Sequence, residues 1–148
     1  MGDSAEQVKA ALLDAVVELA ERRAQGEVGL VDGVVLRHYF AQTAPQDLAD
    51  KGPIDLYAAT MRHFQLAEQR PPTDTLIRIY NPVSDDDGWT SSHTVIDLVS
   101  EDMPFIVDSV LALLERLGYQ IHALAHPMFS IDRSHGDQLV GVSVPGRN

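Results

Sequence analysis

His122 and His126, four residues apart, are the pair whose types and spacing first suggest metal chemistry. On a helix that spacing puts two imidazoles on one face, where they can share a zinc ion. Here the pair lies in IHALAHPMF, with β-branched and aromatic neighbours and a proline, which favour extended backbone. Four residues of strand span roughly 13 Å, too far for one ion to be shared. His122 is therefore read as a surface or hydrogen-bonded histidine, and His126-Pro127 as a bend or bulge. Asp85-Asp86-Asp87-Gly88 suggests calcium. Aligning Gly88 with the glycine of a calcium loop puts Val83 at the first ligand position and Thr94 at the bidentate one, and neither can serve. The run reads as a solvated loop, with Trp89 folding back over a sheet. No metal ligands are assigned.

Nucleophile chemistry finds no better footing. The chain has no cysteine, which excludes disulfides, thiolate zinc sites, iron–sulfur clusters and thiol catalysis. It has no GxSxG, no GxGxxG and no phosphate-binding GxxxxGK[ST]. The two lysines, Lys9 and Lys51, fall in helix-surface and helix-end contexts, so no catalytic lysine is expected. No catalytic or cofactor-binding residue is assigned. What remains is the junction SEDMPFIVDSV, residues 100–110. Pro104 can open a helix, because its missing N–H is one that a helix start leaves unpaired. Asp102 stands where a carboxylate can accept from those amides and meet the positive end of the helix dipole. That is the ordinary make-up of a structural turn. The alternative is a binding site for a small anion, such as an amino-acid carboxylate, at Asp102, Pro104, Phe105, Ile106 and Val107.

Elements that would carry these residues follow from periodicity. Residues 4–25 read as a helix, with Ser4 and Gln7 at capping-box spacing, apolar positions at Leu12, Leu13, Val16, Val17 and Leu19, and Gly26 as its stop. A second helix covers 34–42 with Asp32 as candidate cap, and Pro45 starts a brief turn ending at Gly52. Pro53 opens a clearer helix over 53–70, with Ile54, Tyr57, Met61 and Phe64 as its core stripe and Pro71-Pro72 as its end. Beyond that point the period changes to two. Strands are expected over 75–80, 93–99, 119–132 and 138–144, with an amphipathic helix over 104–117 carrying Ile106, Val110, Leu113 and Leu117 and stopped by Gly118.

Composition bounds the rest. At 148 residues and 45% hydrophobic content, the chain has the size and core material of one domain, or of one domain with an appended subdomain. Its 22 acidic and 11 basic residues give a net charge of −11, which argues against nucleic acid or an anionic membrane as partner. Without a signal-peptide core or a spanning apolar run, a cytoplasmic location is expected.

The wording of the second half carries a family resemblance. Strand, Asp102-Met103-Pro104-Phe105-Ile106, helix and two strands resemble the opening of an ACT domain, a small ferredoxin-like βαββαβ module that often binds amino acids and pairs at interfaces. The usual turn there is Asp-x-Pro-Gly-Leu. Phe105 replaces the glycine that lets a ligand approach, and is expected to plug that place. More specifically, Tyr39-Phe40, residues 55–59 (DLYAA), Tyr80-Asn81-Pro82, Gly88-Trp89, HTVIDLVSEDMPFIVDSV, His126-Pro127 and Ile131-Asp132-Arg133 resemble the N-terminal region of the large bacterial NAD-specific glutamate dehydrogenases. The likeness covers about residues 30–140. It implies a parent reaction, L-glutamate, NAD and water to 2-oxoglutarate, ammonium and NADH, with catalysis in a downstream domain absent from this chain.

The expected fold is therefore α+β: a helical segment over 1–70, then an ACT-like antiparallel sheet with helices on one face over 71–148. Helix 53–70 and strand 75–80 are expected to fill the last two places of a permuted βαββαβ unit. That strand would pair antiparallel with strand 93–99, turning Ile77 and Ile79 toward Ile106 and Val110. The expected role is a non-catalytic regulatory or assembly module of an NAD-dependent glutamate dehydrogenase, with no cofactor of its own and NAD in the parent. Its partners would be the parent's remaining domains, further copies in a homo-oligomer and an amino-acid effector. The alternative is a free-standing ACT-like amino-acid sensor.

Overall fold

The computed structural model describes residues 2–24 and 31–146. Helix α1 (Gly2–Ala24) takes in Gly2, so Ser4 lies inside its first turn rather than capping it. The expected stop at Gly26 lies outside the described residues. Helix α2 (Gly33–Tyr39) begins as expected, with the Asp32 carboxylate accepting from the Val35 amide at 2.9 Å. Gly33 has a packing reason: a Cβ there would stand 3.0 Å from Val17 Cγ1, so its absence lets α2 close on α1. Helix α3 (Pro45–Leu48) is one turn, and α4 (Pro53–Gln69) runs between the prolines foreseen for it.

These helices hold the core. Leu13, Val16 and Val17 of α1 meet Val35, Leu36 and Tyr39 of α2 and Leu56 and Phe64 of α4, with Phe40 and Leu48 closing the ends. The buried stripe of α4 differs from the expected one. Ile54 is 52% exposed, and Tyr57 and Met61 are only partly covered, whereas Leu56, Thr60 and Phe64 are buried. Thr60 enters the core because its hydroxyl donates to the Leu56 carbonyl at 2.8 Å, which removes the cost of burying it. Lys9 departs further from expectation. It is buried, and its Nζ donates to the carbonyls of Ala41 and Thr43 at 3.1 and 2.8 Å, just past the end of α2. A cation suits that place, where helix-end carbonyls collect partial negative charge.

The second half begins with β1 (Leu76–Tyr80) and β2 (Val95–Val99), paired antiparallel from Leu76↔Val99 to Tyr80↔Val95. The loop between them contains a helical turn, α5 (Ser84–Asp87), where only solvated loop was expected. Helix α6 (Ile106–Arg116) starts two residues later than Pro104. It ends as expected, with Gly118 at φ +86 and the Tyr119 amide donating to the Leu114 carbonyl at 3.0 Å. Strands β3 (Ser130–Arg133) and β4 (Leu139–Ser143) form a second antiparallel pair.

Two expectations fail here. Residues 119–129 belong to no strand; they hold instead to the helices, through Thr43 Oγ1 donating to the Leu124 carbonyl at 3.2 Å and His38 Nε2 donating to the Met128 carbonyl at 2.8 Å. Their apolar alternation serves packing, with Ala125 and Phe129 set against the helical core. The second failure concerns the permuted unit. The β1–β2 pairing is present, but Ile77 and Ile79 are 59% and 65% exposed, and α6 buries none of its residues. The strands form two separate pairs rather than one sheet. The architecture is α+β, with α4 packed on one face of the first pair.

Candidate functional site

The turn singled out by sequence is exposed throughout. Asp102, Met103, Pro104 and Phe105 all face solvent, and Ile106 and Val107 are half-buried. Asp102 does not cap α6: the residue before the helix is Phe105, at φ +66 and ψ +9, and no side chain accepts from the first amides. Phe105 is 75% exposed, so it plugs no cavity. It occupies the left-handed conformation in which glycine is at ease and a bulky side chain is strained. The residues expected to gather at this site are thus contiguous in sequence, without further elements closing over them.

His122 and His126 are also far from a shared task. His122 stacks on His93, ring centroids 3.9 Å apart, and His126 borders an open groove. That groove, of about 350 Å³, runs past His38, Tyr39, Gln42, Pro127, Met128 and Pro145. No cluster of three metal-ligating side chains occurs among the described residues.

The cluster that the fold does assemble was missed in the sequence. It lies between α4 and the inner face of the first strand pair. Tyr39 of α2 donates its hydroxyl hydrogen to His63 Nδ1 of α4 at 2.7 Å. The direction follows from the other ring nitrogen: Nε2 sits 3.0 Å from the Leu98 carbonyl, which can only accept, so Nε2 carries the proton. Asp97 of β2 is buried, with Oδ1 3.9 Å from His63 Nδ1 and Oδ2 3.3 Å from the Arg78 guanidinium of β1. Arg78 and Asp97 are direct cross-strand partners, which is why the pair forms. Arg62, one residue before His63, pairs with Asp87 of α5 at 2.8 Å. Both guanidinium groups lie over the Tyr80 ring, at 4.3 Å for Arg78 and 5.9 Å for Arg62. Trp89 is buried beside them as foreseen, its Nε1 next to the Tyr80 hydroxyl without completing a hydrogen bond.

Burial sets the electrostatics of this cluster. Burial, reinforced by the Asp97 charge, pushes the Tyr39 hydroxyl far above its usual range, so it stays protonated. Burial raises the Asp97 carboxyl too, against the opposing pull of His63 when it is protonated and of Arg78 and Arg62 throughout. Tyr80 is raised by burial and by Asp97. The carbonyl of Leu98 fixes the tautomer of His63 and leaves Nδ1 to accept from Tyr39. The arrangement ties α2, α4, β1 and β2 together. The sequence hides it, because Arg78 and Asp97 occupy the polar phase of their alternating strands, which ordinarily reads as the solvent side.

Comparison with known proteins supplies the family. The model described as "Glutamate dehydrogenase, ACT1 domain" matches residues 35–148, from within α2 onward. An NAD-specific glutamate dehydrogenase of Halomonas elongata is 38% identical over 109 residues, which cover 73% of this chain and 7% of that protein. One from Pseudomonas aeruginosa is 34% identical over 101 residues, covering 68% of this chain and 6% of that protein. The chain therefore spans a small fraction of these relatives' length. No solved structure matches. Because the family match takes in well over half of its residues, the chain belongs to the glutamate dehydrogenase ACT1 domain family.

Proposed function

We propose that this chain is a non-catalytic regulatory or assembly module of a cytoplasmic, homo-oligomeric NAD-dependent glutamate dehydrogenase. The parent reaction would convert L-glutamate, NAD and water to 2-oxoglutarate, ammonium and NADH. The observation that carries this reading is the family match over residues 35–148 to a domain of such enzymes. The buried polar cluster fits an assembly role, since His63 joins α2, α4 and β2 through its two ring nitrogens. With no glycine-rich dinucleotide turn in the chain, NAD would bind elsewhere in the parent.

In this reading residues 1–70 form the helical segment and 71–148 the ACT-like module. An amino-acid effector would place its carboxylate at the exposed helix start, near Asp102, Pro104, Phe105, Ile106 and Val107. Two measurements test the proposal. The purified chain should form no NADH from glutamate and NAD, while the protein encoded by the full reading frame should; turnover by the chain alone overturns it. Calorimetry with glutamate, aspartate and branched-chain amino acids should show binding, and silence with all of them removes the effector.

A further inference from the structure

The first strand pair has two unlike faces. Toward α4 it turns Arg78, Tyr80 and Asp97, the polar cluster described above. The register puts Ile77 opposite Leu98 and Ile79 opposite Ile96, which gathers four aliphatic side chains on the other face. Ile77 is 59%, Ile79 65% and Ile96 40% exposed, and Leu98 is partly buried. This inverts the usual half-buried strand, in which the polar side meets water and the apolar side the core. A sheet that has already spent its polar face on a helix gains nothing by leaving isoleucines in water. Helix α6, the nearest amphipathic element along the chain, does not cover them.

We infer that this outer face is a docking surface for an amphipathic helix supplied by the remaining length of the parent polypeptide. The inference rests on the proposed function. Three observations single out that occupant. The chain spans only 7% and 6% of its dehydrogenase relatives, so nearly all of their polypeptide lies outside this structure. The face is two strands wide, or roughly 10 Å counting side chains, the width of one helix. Finally, each copy carries a net charge of −11, which opposes close approach of a second copy. The incoming helix would present aliphatic residues at i, i+3, i+4 and i+7 along β1 and β2, making a three-layer stack with α4 on the opposite side.

The absence of cysteine makes the test direct. Ile79→Cys places a thiol on the face, and Asp85→Cys places a control on the exposed α5 turn. Maleimide labelling of each position is followed by peptide mass spectrometry in the 148-residue chain and in the full-length parent. In the chain alone both thiols should react at similar rates; in the parent, position 79 should react at least about ten-fold more slowly than position 85. Equal rates in the parent overturn the inference. So does protection at position 79 in the chain alone that grows with concentration alongside a doubled mass by light scattering, because a second copy is then the occupant. Ile77→Cys repeats the measurement should the first variant fold poorly. Glutamate oxidation by the parent is read in parallel: an active parent with an open face sinks this inference only. An inactive one sinks the proposed function, while the labelling ratio still decides whether the face is covered.

Discussion

Phe105 holds a conformation that its side chain does not favour, and nothing buried compensates for it. At φ +66 with 75% of its surface exposed, it keeps the strain of a left-handed residue and little burial to offset it. Phe105→Gly should therefore stabilise the chain by about 1 kcal/mol, read as a higher denaturation midpoint in urea; a loss of stability would mean the ring is packed. Asp97 gives a second prediction at this scale. Burial holds its folded carboxyl above the ordinary value of 3.8, so the folded chain keeps a proton that the unfolded chain releases. Its contribution is full below 3.8 and is lost as pH rises through the folded value. Urea unfolding from about pH 3 to about pH 7 should thus show wild type losing stability relative to Asp97→Asn as pH rises. A gap that moves the other way would mean that Arg78 and His63 outweigh desolvation. The residue scale is also where the sequence was least legible. Lys9 and Asp97 look like surface residues until the partners that bury them arrive from 32 and 19 positions away, at Ala41 and Arg78.

Helices and strands were read far better than their contacts. Each of α1, α2, α4 and α6 had a periodic signature with proline, aspartate or glycine at an end, strands 75–80, 93–99 and 138–144 were marked by alternation, and strand 119–132 holds only over Ser130–Arg133. What periodicity could not say is which apolar face finds a partner. Leu113 and Leu117 belong to the expected core stripe of α6 yet are 44% and 59% exposed. Likewise, the alternation over 119–129 marks a packed segment without a ladder, because a strand needs a neighbour and none is adjacent among the described residues. The consequence is measurable. Helix α6 buries no residue, whereas α4 sits in the core, so amides of α6 should exchange with solvent at least about 100-fold faster than those of α4. Comparable protection in both helices would show that α6 is held by contacts absent from this structure.

At the scale of the molecule the helices α1–α4 and the strand-bearing region after them are packed together. Ala125, Phe129 and Val142 lie against the helical core, and the Tyr39–His63–Leu98 chain bolts α2 and α4 to β2. Leu36→Ala should cost about 2–5 kcal/mol, and should lower the unfolding transitions seen by helical circular dichroism and by Trp89 fluorescence together. Trp89 is the only tryptophan and sits in the polar cluster, so separate transitions would mean that the two regions fold independently. The α+β class was legible because the change from period 3.6 to period 2 at Pro71-Pro72 is abrupt. The division of the strands into two pairs was not, since it depends on neighbours rather than on pattern.

The seat of Lys9 has a practical outcome. Its ammonium group is walled in by two carbonyls, which leaves Lys51 as the one readily acylated lysine in the chain. A succinimidyl dye or biotin should then mark, among lysines, Lys51 beside Asp50 and spare Lys9, and a peptide map after labelling would show the difference.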